Sequence, residues 1–115
     1  MVETFRPRER IRRKKDFLLL YREGKRYRGK YFNLIYFPNN LRFSRMAVIA
    51  SKKTGKAVIR NKIKRLVREL FRRNKGLMKE NIDILIVTKK GIHEITWPVL
   101  HQSYVEAIQS LWGEE

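Results

Sequence analysis

The chain of 115 residues contains no cysteine, and it has only 11 acidic side chains against 28 lysines and arginines. Without cysteine, neither a disulfide framework nor a zinc finger can hold the fold, which suits a reducing compartment. No apolar run approaches the roughly 20 residues that a transmembrane helix needs, and the amino terminus lacks the pattern of a signal peptide. We therefore expect a cytoplasmic protein with no membrane segment, folded as a single domain over residues 1–115.

The formal net charge of +17 is the dominant feature of the composition. The many positive side chains repel one another and disfavour a compact state, so their presence indicates a polyanionic partner. Lysine and arginine crowd into residues 6–30 and 52–75, whereas residues 91–115 hold four acids and neither basic residue. Nucleic acid is the partner that this distribution favours. The alternative, an anionic membrane surface, would require a broad apolar helix face, and the apolar residues here are needed for a core.

The hydrophobic pattern predicts one compact α/β (α+β) sandwich, preceded by an irregular basic arm at residues 1–12. A first helix is predicted at Lys14–Glu23, ending at Gly24, and a last helix at Trp97–Leu111, with Val99 on its apolar side. The predicted strands are a short edge piece at Arg26–Arg28, then Lys30–Phe37, Phe43–Lys53 and Asn81–Lys90. The last two of these are apolar at both alternations, which predicts central strands covered on both faces.

The stretch "GKAVIRNKIKRLVRELFRRNKG", Gly55–Gly76, carries nine lysines or arginines and a single acid, Glu69. It predicts a helix of about Lys56–Asn74 with an aliphatic stripe for the core, formed by Ile59, Ile63, Leu66, Val67 and Leu70. The other side presents a row of Arg60, Asn61, Lys64, Arg65, Arg68 and Arg72. Like charges at this spacing destabilise a helix, and a merely solvated face would alternate in sign. The row therefore predicts a surface that binds phosphates.

RNA is favoured over DNA, because no helix-turn-helix, zipper or finger surrounds the basic helix. RNA-binding proteins also stack unpaired bases on aromatic side chains. Phe17 and Tyr21 lie one turn apart on the first helix and are candidates for that role. The alternative is that both are ordinary core residues.

No residue of the chain is predicted to be catalytic or to bind a metal. Hydrolysis of a phosphodiester needs clustered carboxylates or positioned histidines. His93 and His101 lie in the least basic region, where surface or packing roles are expected. Asp16, Glu69 and Asp83 fall in separate predicted elements and lack the spacing of metal ligands.

The run "SKKTGKAVIRNKIKRLVRELFR", Ser51–Arg72, resembles the protein subunit of bacterial ribonuclease P. The resemblance rests on the pattern Arg-Asn-x-x-Lys-Arg-x-x-Arg, and "KDFLLLYREGK" at Lys15–Lys25 is similar to the first helix of that family and its exit. The family fold has the order α-β-β-β-α-β-α. It contains a mixed sheet with a left-handed β-α-β crossover, against the usual right-handed rule.

The resemblance implies a subunit of a ribonucleoprotein that removes the 5′ leader of precursor tRNA. The protein would act as a monomer within the holoenzyme and bind both the catalytic RNA and the leader. The RNA would perform the hydrolysis with Mg²⁺, which is bound mainly by RNA and substrate. The alternative is a general RNA-binding or ribosomal-type protein without a role in tRNA processing.

The resemblance also implies roles for individual residues. It assigns Arg60, Asn61, Lys64, Arg65 and Arg68 to the catalytic RNA, and the helical pattern adds Arg72. For Asn61 the alternative is a helix cap or a supporting role that holds the neighbouring loop. The leader is assigned to Phe17, Tyr21, Asn33, Ile35, Ser51, Lys52, Lys53 and Lys56. Alignment further implies that Asn33, Ile35, Phe37, Ile49, Ser51 and Lys53 face the leader cleft, while Phe32, Leu34, Tyr36, Val48 and Ala50 face the core.

Overall fold

Three helices and four strands follow one another in the order α1-β1-β2-β3-α2-β4-α3, in a computed structural model that describes residues 5–112. The helices are α1 (Lys14–Glu23), α2 (Ala57–Arg73) and α3 (Trp97–Ser110). The strands are β1 (Lys25–Arg28), β2 (Phe32–Pro38), β3 (Arg45–Ile49) and β4 (Ile82–Thr88). The predicted element order is confirmed, and the predicted helix bounds agree to within one residue.

The four strands form one mixed sheet in the order β1-β2-β4-β3. The β1–β2 and β2–β4 pairs are antiparallel, whereas β3 and β4 run parallel and are connected through α2. The mixed sheet and its β-α-β crossover are therefore confirmed, while the hand of the crossover stays a prediction. Strand β4 is central and buried at every position except Val87, as its apolar pattern predicts.

The prediction that the strand after Phe43 is central is wrong, because β3 lies at the edge of the sheet. The amino-terminal arm covers its free edge. The Ile11 N–H donates a hydrogen bond to the Met46 carbonyl at 3.0 Å, and Arg10 lies opposite Met46 in a parallel bridge. This cover explains how an edge strand tolerates an apolar sequence.

The arm is irregular apart from one turn at Pro7–Glu9, and its first four residues lie outside the described part of the chain. It is nevertheless firmly attached. Glu9 is only 5% exposed, and its carboxylate pairs with the Lys75 ammonium at 2.7 Å, just beyond α2. Phe5 packs edge-on against Phe71 of α2, with 5.5 Å between ring centroids.

Two apolar clusters lie on opposite faces of the sheet. The larger contains the buried side chains of α2 and α3, and it takes Phe32, Leu34, Met46 and Val48 from the sheet. The smaller lies under α1 and contains Ile11, Leu20, Ile35 and Leu85, with Phe37 and Ile49 packed against it. This division confirms the predicted alternation of the strand residues between the two faces. Ala50, Ser51 and Lys53 lie beyond the end of β3, so strand alternation does not orient them and their predicted faces stay predictions.

The core faces of the long helices agree with the predicted stripes, with two exceptions. Ile63, Val67 and Leu70 of α2 are buried, and so is Phe71, which the predicted stripe omits. On α3 the buried residues are Leu100, Tyr104, Ala107 and Ile108. Val99 is 43% exposed, contrary to prediction. It precedes Leu100, and one residue turns the side chain about 100° around the helix axis, away from the core.

Strand β3 ends at Ile49 rather than continuing to Lys53, because the chain turns sharply there. Residues Lys52–Thr54 form a short 3-10 turn, and the buried Thr54 hydroxyl lies 3.1 Å from the Thr88 hydroxyl at the end of β4. Gly55 follows with φ +149°, a conformation that side chains disfavour. This turn directs the chain from the sheet edge into α2.

Tyr104 provides a test of the core packing. Its ring is buried, and its hydroxyl has no hydrogen-bond partner among the described residues. Because an unsatisfied buried polar group costs about 1–3 kcal/mol, we expect Tyr104→Phe to raise the free energy of unfolding by roughly 1 kcal/mol in urea titrations. The control is Tyr21→Phe, which removes a hydroxyl from a side chain that is 45% exposed and should change little. A loss of stability in Tyr104→Phe would contradict the packing described.

Candidate nucleic-acid interface

The side of the sheet that faces α1 is organised in three rows that run across the strands. They follow from the strand register, because residues opposite each other share a face. The first row contains Arg28, Asn33, Val87 and Ile49. The second row contains Arg26, Ile35, Leu85 and Ala47. The third row contains Phe37, Asp83 and Arg45.

An ion-pair network fixes the start of α1 over the third row. The Arg45 guanidinium donates to both carboxylate oxygens of Asp83, at 2.8 and 2.5 Å, and to Asp16 of α1 at 3.4 Å. The Asn39 amide also donates to Asp83, at 2.9 Å. The hydrogen bonds to Asp83 and the nearby carboxylates together raise the pKa of Arg45 above its ordinary value, despite partial burial. Asp16 and Asp83, which the sequence places in separate elements, therefore meet on one arginine.

The end of α1 passes over the second row at Gly24. A Cβ at this position would lie 2.5 Å from the Leu20 carbonyl oxygen and 2.7 Å from the Ile35 side chain, so only glycine fits. Leu20 packs with Ile35 and Leu85 just before this crossing. The helix is thus anchored over the second and third rows, and the first row borders a cleft.

This cleft has a volume of about 370 Å³ and is bordered by α1, β1 and β2. Its lining includes Tyr21, Arg26, Arg28, Asn33, Ile35, Val87 and Lys89. Three of the residues predicted to bind a leader, Tyr21, Asn33 and Ile35, are therefore brought together. The Asn33 side-chain oxygen is buried and has no hydrogen-bond partner within residues 5–112.

The two aromatic candidates on α1 differ in their surroundings. Phe17 is partly buried and packs against the apolar cluster under α1, as an ordinary core residue would. Tyr21 is 45% exposed and lines the cleft. Tyr21 is thus the more accessible ring for stacking a base.

Three cationic residues of the cleft were missed by sequence reasoning. Arg26 and Arg28 belong to the short edge strand β1, and the Arg26 guanidinium donates to the Tyr21 carbonyl at 2.8 Å. The Lys89 ammonium donates to the Gly29 carbonyl at 2.5 Å. Arg26 and Arg28 are two residues apart, which places both side chains on the same face of a strand. Only the register with β2 shows which face of the sheet that is.

Ser51, Lys52, Lys53 and Lys56 lie in and beside the turn that follows β3, and all four are exposed. They do not line the cleft of Tyr21 and Asn33. They extend instead from the β3 end of the first row, two residues beyond Ile49. Together the cleft and this turn place cationic groups at both ends of that row.

On the opposite face of the sheet, α2 presents the predicted cationic row. Arg65 and Asn61 are exposed, while Arg60, Lys64 and Arg68 are partly exposed. Asn61 lies inside α2, whose amino-terminal cap is Lys56, so the alternative role of a helix cap does not hold. Burial, with a further contribution from the charge of Arg10, lowers the pKa of Arg68.

Arg72 differs from the rest of this row, because it pairs with Glu69. Glu69 also accepts a hydrogen bond from Arg73 at 2.6 Å. Its bond with Arg72 is the main cause that lowers the pKa of Glu69 to about 2. The single acid of α2 is therefore charged at neutral pH and neutralises the end of the helix rather than its middle.

The histidines and carboxylates of the described chain do not assemble into a metal centre. Within residues 5–112, no three His, Cys, Asp or Glu side chains are grouped as metal ligands would be. His101 stacks on Trp97 and lies 3.4 Å from Asn74, and His93 is exposed. Over the same residues, none of the helices has the length and apolar character required to span a bilayer.

Comparison with known proteins identifies one family. The family model described as Ribonuclease P matches residues 5–112. The ribonuclease P protein component of Thermotoga maritima is 45% identical over 94 residues, covering 82% of this chain and 80% of that protein. The component of Syntrophus aciditrophicus is 44% identical over 86 residues, covering 75% of this chain and 72% of that protein.

Solved structures of the same family share the fold. The RNase P protein from Thermotoga maritima superposes with a TM-score of 0.82 at 35% identity, covering 91% of this chain and 99% of that one. The Staphylococcus aureus RNase P protein gives a TM-score of 0.81 at 28% identity, covering 90% and 94%.

The exposed row of α2 can be tested by comparing two arginines of the same helix. Arg65 forms no ion pair with a carboxylate within residues 5–112, whereas Arg73 pairs with Glu69 and lies over the Trp97 ring, 5.8 Å from its centroid. If Arg65 contacts a phosphate, Arg65→Ala should weaken binding to a structured RNA. It should also reduce the log–log salt slope by about 0.7–0.9.

The matched variant Arg73→Ala removes the same charge and should leave the slope close to that of the unmodified protein. Binding is measured by filter retention or fluorescence anisotropy over a range of salt concentrations. Equal slopes for Arg65→Ala and Arg73→Ala would show that the row is only solvated.

Proposed function

The chain belongs to the ribonuclease P protein family, and from that premise we propose that it binds the catalytic RNA of ribonuclease P and the 5′ leader of precursor tRNA together. The observation that carries this proposal is the presence of two cationic surfaces on opposite faces of the sheet. The cleft beside Tyr21 lies on the α1 face, and the row around Arg65 lies on α2. Two surfaces held apart by a rigid sheet can engage two RNA segments at once.

The cleft is suited to a single strand of RNA. Tyr21 offers an exposed ring for stacking, and Arg26, Arg28 and Lys89 supply positive charge around it. Asn33 lines the cleft, and its side-chain amide would supply a hydrogen-bonding group for a base. The cationic turn with Lys52, Lys53 and Lys56 would meet the phosphates at the β3 end of the first row. Phe17 and Ile35, which belong to the apolar cluster under α1, would border the leader from the core side.

The row of α2 is suited to the phosphates of a folded RNA. Arg60, Lys64, Arg65 and Arg68 project from one anchored helix, and arginine forks match the geometry of phosphate oxygens. Asn61 would contribute an uncharged hydrogen-bonding group in the same row. Arg72 would contribute less, because Glu69 already neutralises part of its charge.

Catalysis in this proposal belongs to the RNA. Mg²⁺ would be held mainly by phosphates of the catalytic RNA and the substrate, where it can activate water and stabilise the leaving oxygen. The protein would lower the Mg²⁺ requirement by holding the leader and by neutralising nearby phosphates.

Reconstitution tests the proposal directly. Bacterial ribonuclease P RNA is mixed with precursor tRNA at low Mg²⁺, with and without this protein, and release of the 5′ leader is followed on gels. We expect cleavage to depend on the protein under these conditions. A folded protein that binds RNA but gives no stimulation would indicate a general RNA-binding role instead.

Variants of Tyr21 distinguish leader binding from general RNA binding. Tyr21→Ala should weaken the affinity of the assembled holoenzyme for precursor tRNA by roughly 1–3 kcal/mol, the size of one lost stack, and leave mature tRNA unaffected. Tyr21→Phe keeps the ring and should bind nearly normally. Leu18→Ala is the matched control, since Leu18 is 53% exposed on the same helix. Equal weakening for both tRNAs would argue against a leader contact at Tyr21.

A further inference from the structure

Packing of the arm along β3 places Arg10 on the face of the sheet where α2 carries Arg68. Arg10 lies opposite Met46, and the neighbouring Ile11 N–H bonds to the Met46 carbonyl. Ile11 belongs to the apolar cluster under α1, so Arg10 points to the other face of the sheet, as Met46 does. That face is the one on which α2 packs.

The Arg10 side chain is held in place on that face. Its guanidinium lies 4.9 Å from the centroid of the Phe5 ring, and Phe5 packs edge-on against Phe71 of α2. Phe71 is one turn from Arg68 on the same helix. The charge of Arg10 also contributes, after burial, to lowering the pKa of Arg68.

Among residues 5–112, the carboxylates nearest to this pair of arginines along the chain are engaged elsewhere. The nearest acid along the arm, Glu9, pairs with Lys75 and accepts a hydrogen bond from the Arg6 N–H at 2.6 Å. Glu69, which follows Arg68 directly, is engaged by arginines one turn further along α2. Within residues 5–112, neither Arg10 nor Arg68 forms an ion pair.

Two neighbouring guanidinium groups with no acid beside them repel each other, and an anion that binds between them relieves that repulsion. Their forked donors suit the oxygens of a phosphate, and two arginines can hold one phosphate from two sides. We propose that Arg10 and Arg68 together bind one phosphate group of the catalytic RNA, so that the arm extends the cationic row of α2. The identity of the RNA rests on the proposed function, whereas the phosphate site does not.

This site gives the arm a role in binding. The Glu9–Lys75 pair and the Phe5–Phe71 contact fix the arm beside α2, and they act as positioning contacts for Arg10.

The test compares Arg10→Gln and Arg68→Gln, singly and combined, with Arg8→Gln as the matched control. Arg8 lies on the same arm, and its guanidinium lies 4.8 Å from the centroid of the Phe43 ring, so its loss also removes one charge and one cation–π contact. Glutamine keeps much of the side-chain stem, which favours retention of the fold.

Affinity for ribonuclease P RNA is measured over a range of salt concentrations. Arg10→Gln and Arg68→Gln should each weaken binding about tenfold, the size of a lost charged hydrogen bond, and lower the salt slope by about 1. The double variant should lose far less than the hundredfold product, because both residues hold the same phosphate. Arg8→Gln should combine multiplicatively with Arg68→Gln.

Thermal melting of the free protein distinguishes binding from a structural role. Because Arg10→Gln relieves repulsion and Arg8→Gln does not, Arg10→Gln should melt at a higher temperature than Arg8→Gln. A lower melting temperature for Arg10→Gln, or multiplicative losses in the Arg10–Arg68 pair, would overturn the proposal.

A second experiment tests the phosphate site independently of the proposed function. If the unmodified protein does not bind ribonuclease P RNA, the site is tested with inorganic phosphate, replacing chloride at equal ionic strength. The rise in melting temperature should then be smaller in Arg10→Gln than in Arg8→Gln. Equal rises would overturn the phosphate site as well.

Discussion

Repulsion among the lysines and arginines is the constraint on which this structure depends, since 28 basic side chains share the chain with 11 acids. The few carboxylates are placed where they join elements. Glu9 attaches the arm beyond the end of α2, and Asp16 and Asp83 attach α1 to the sheet through Arg45. Partly buried ion pairs of this kind add less stability than apolar packing, but breaking one is costly. Their effect is to fix the relative positions of elements.

The position of α1 determines that a cleft exists at all. Arg45 holds the start of the helix over one end of the sheet, and Gly24 lets its end pass within contact distance of β2. The row that contains Asn33 and Val87 consequently stays uncovered. The cleft therefore depends on a charged contact and a glycine that do not themselves line it.

Helices were predicted well from the sequence because their signal is local. Apolar spacing in α2 and the glycine after α1 place both helices to within a residue. The same local pattern failed for β3, which is apolar on both faces yet lies at the sheet edge. Its cover comes from Ile11, more than 30 residues earlier in the chain, and no periodicity shows that contact.

Residues of the candidate site whose position depends on local sequence were predictable, whereas residues placed by strand register or tertiary packing were not. The row on α2 follows from helical spacing, which also made Tyr21 a candidate, and the resemblance to a family added Asn33. Arg26, Arg28 and Lys89 were missed, because their place in the cleft depends on strand register. The meeting of Asp16 with Asp83 on Arg45, and the placement of Arg10 on the face that carries α2, depend on tertiary packing alone and have no counterpart in the sequence pattern.

The arrangement also explains how a protein of this charge can bind RNA without a large loss of side-chain freedom. Ordering flexible side chains at an interface costs roughly 0.5–1.5 kcal/mol for each residue. Arg10 is already held over Phe5, and Arg68 is already partly buried beside it, so part of that cost is met during folding. The repulsion between them is relieved when a phosphate binds. The folded protein therefore contains an unfavourable repulsion between arginine side chains at its surface, and binding of an anion removes it.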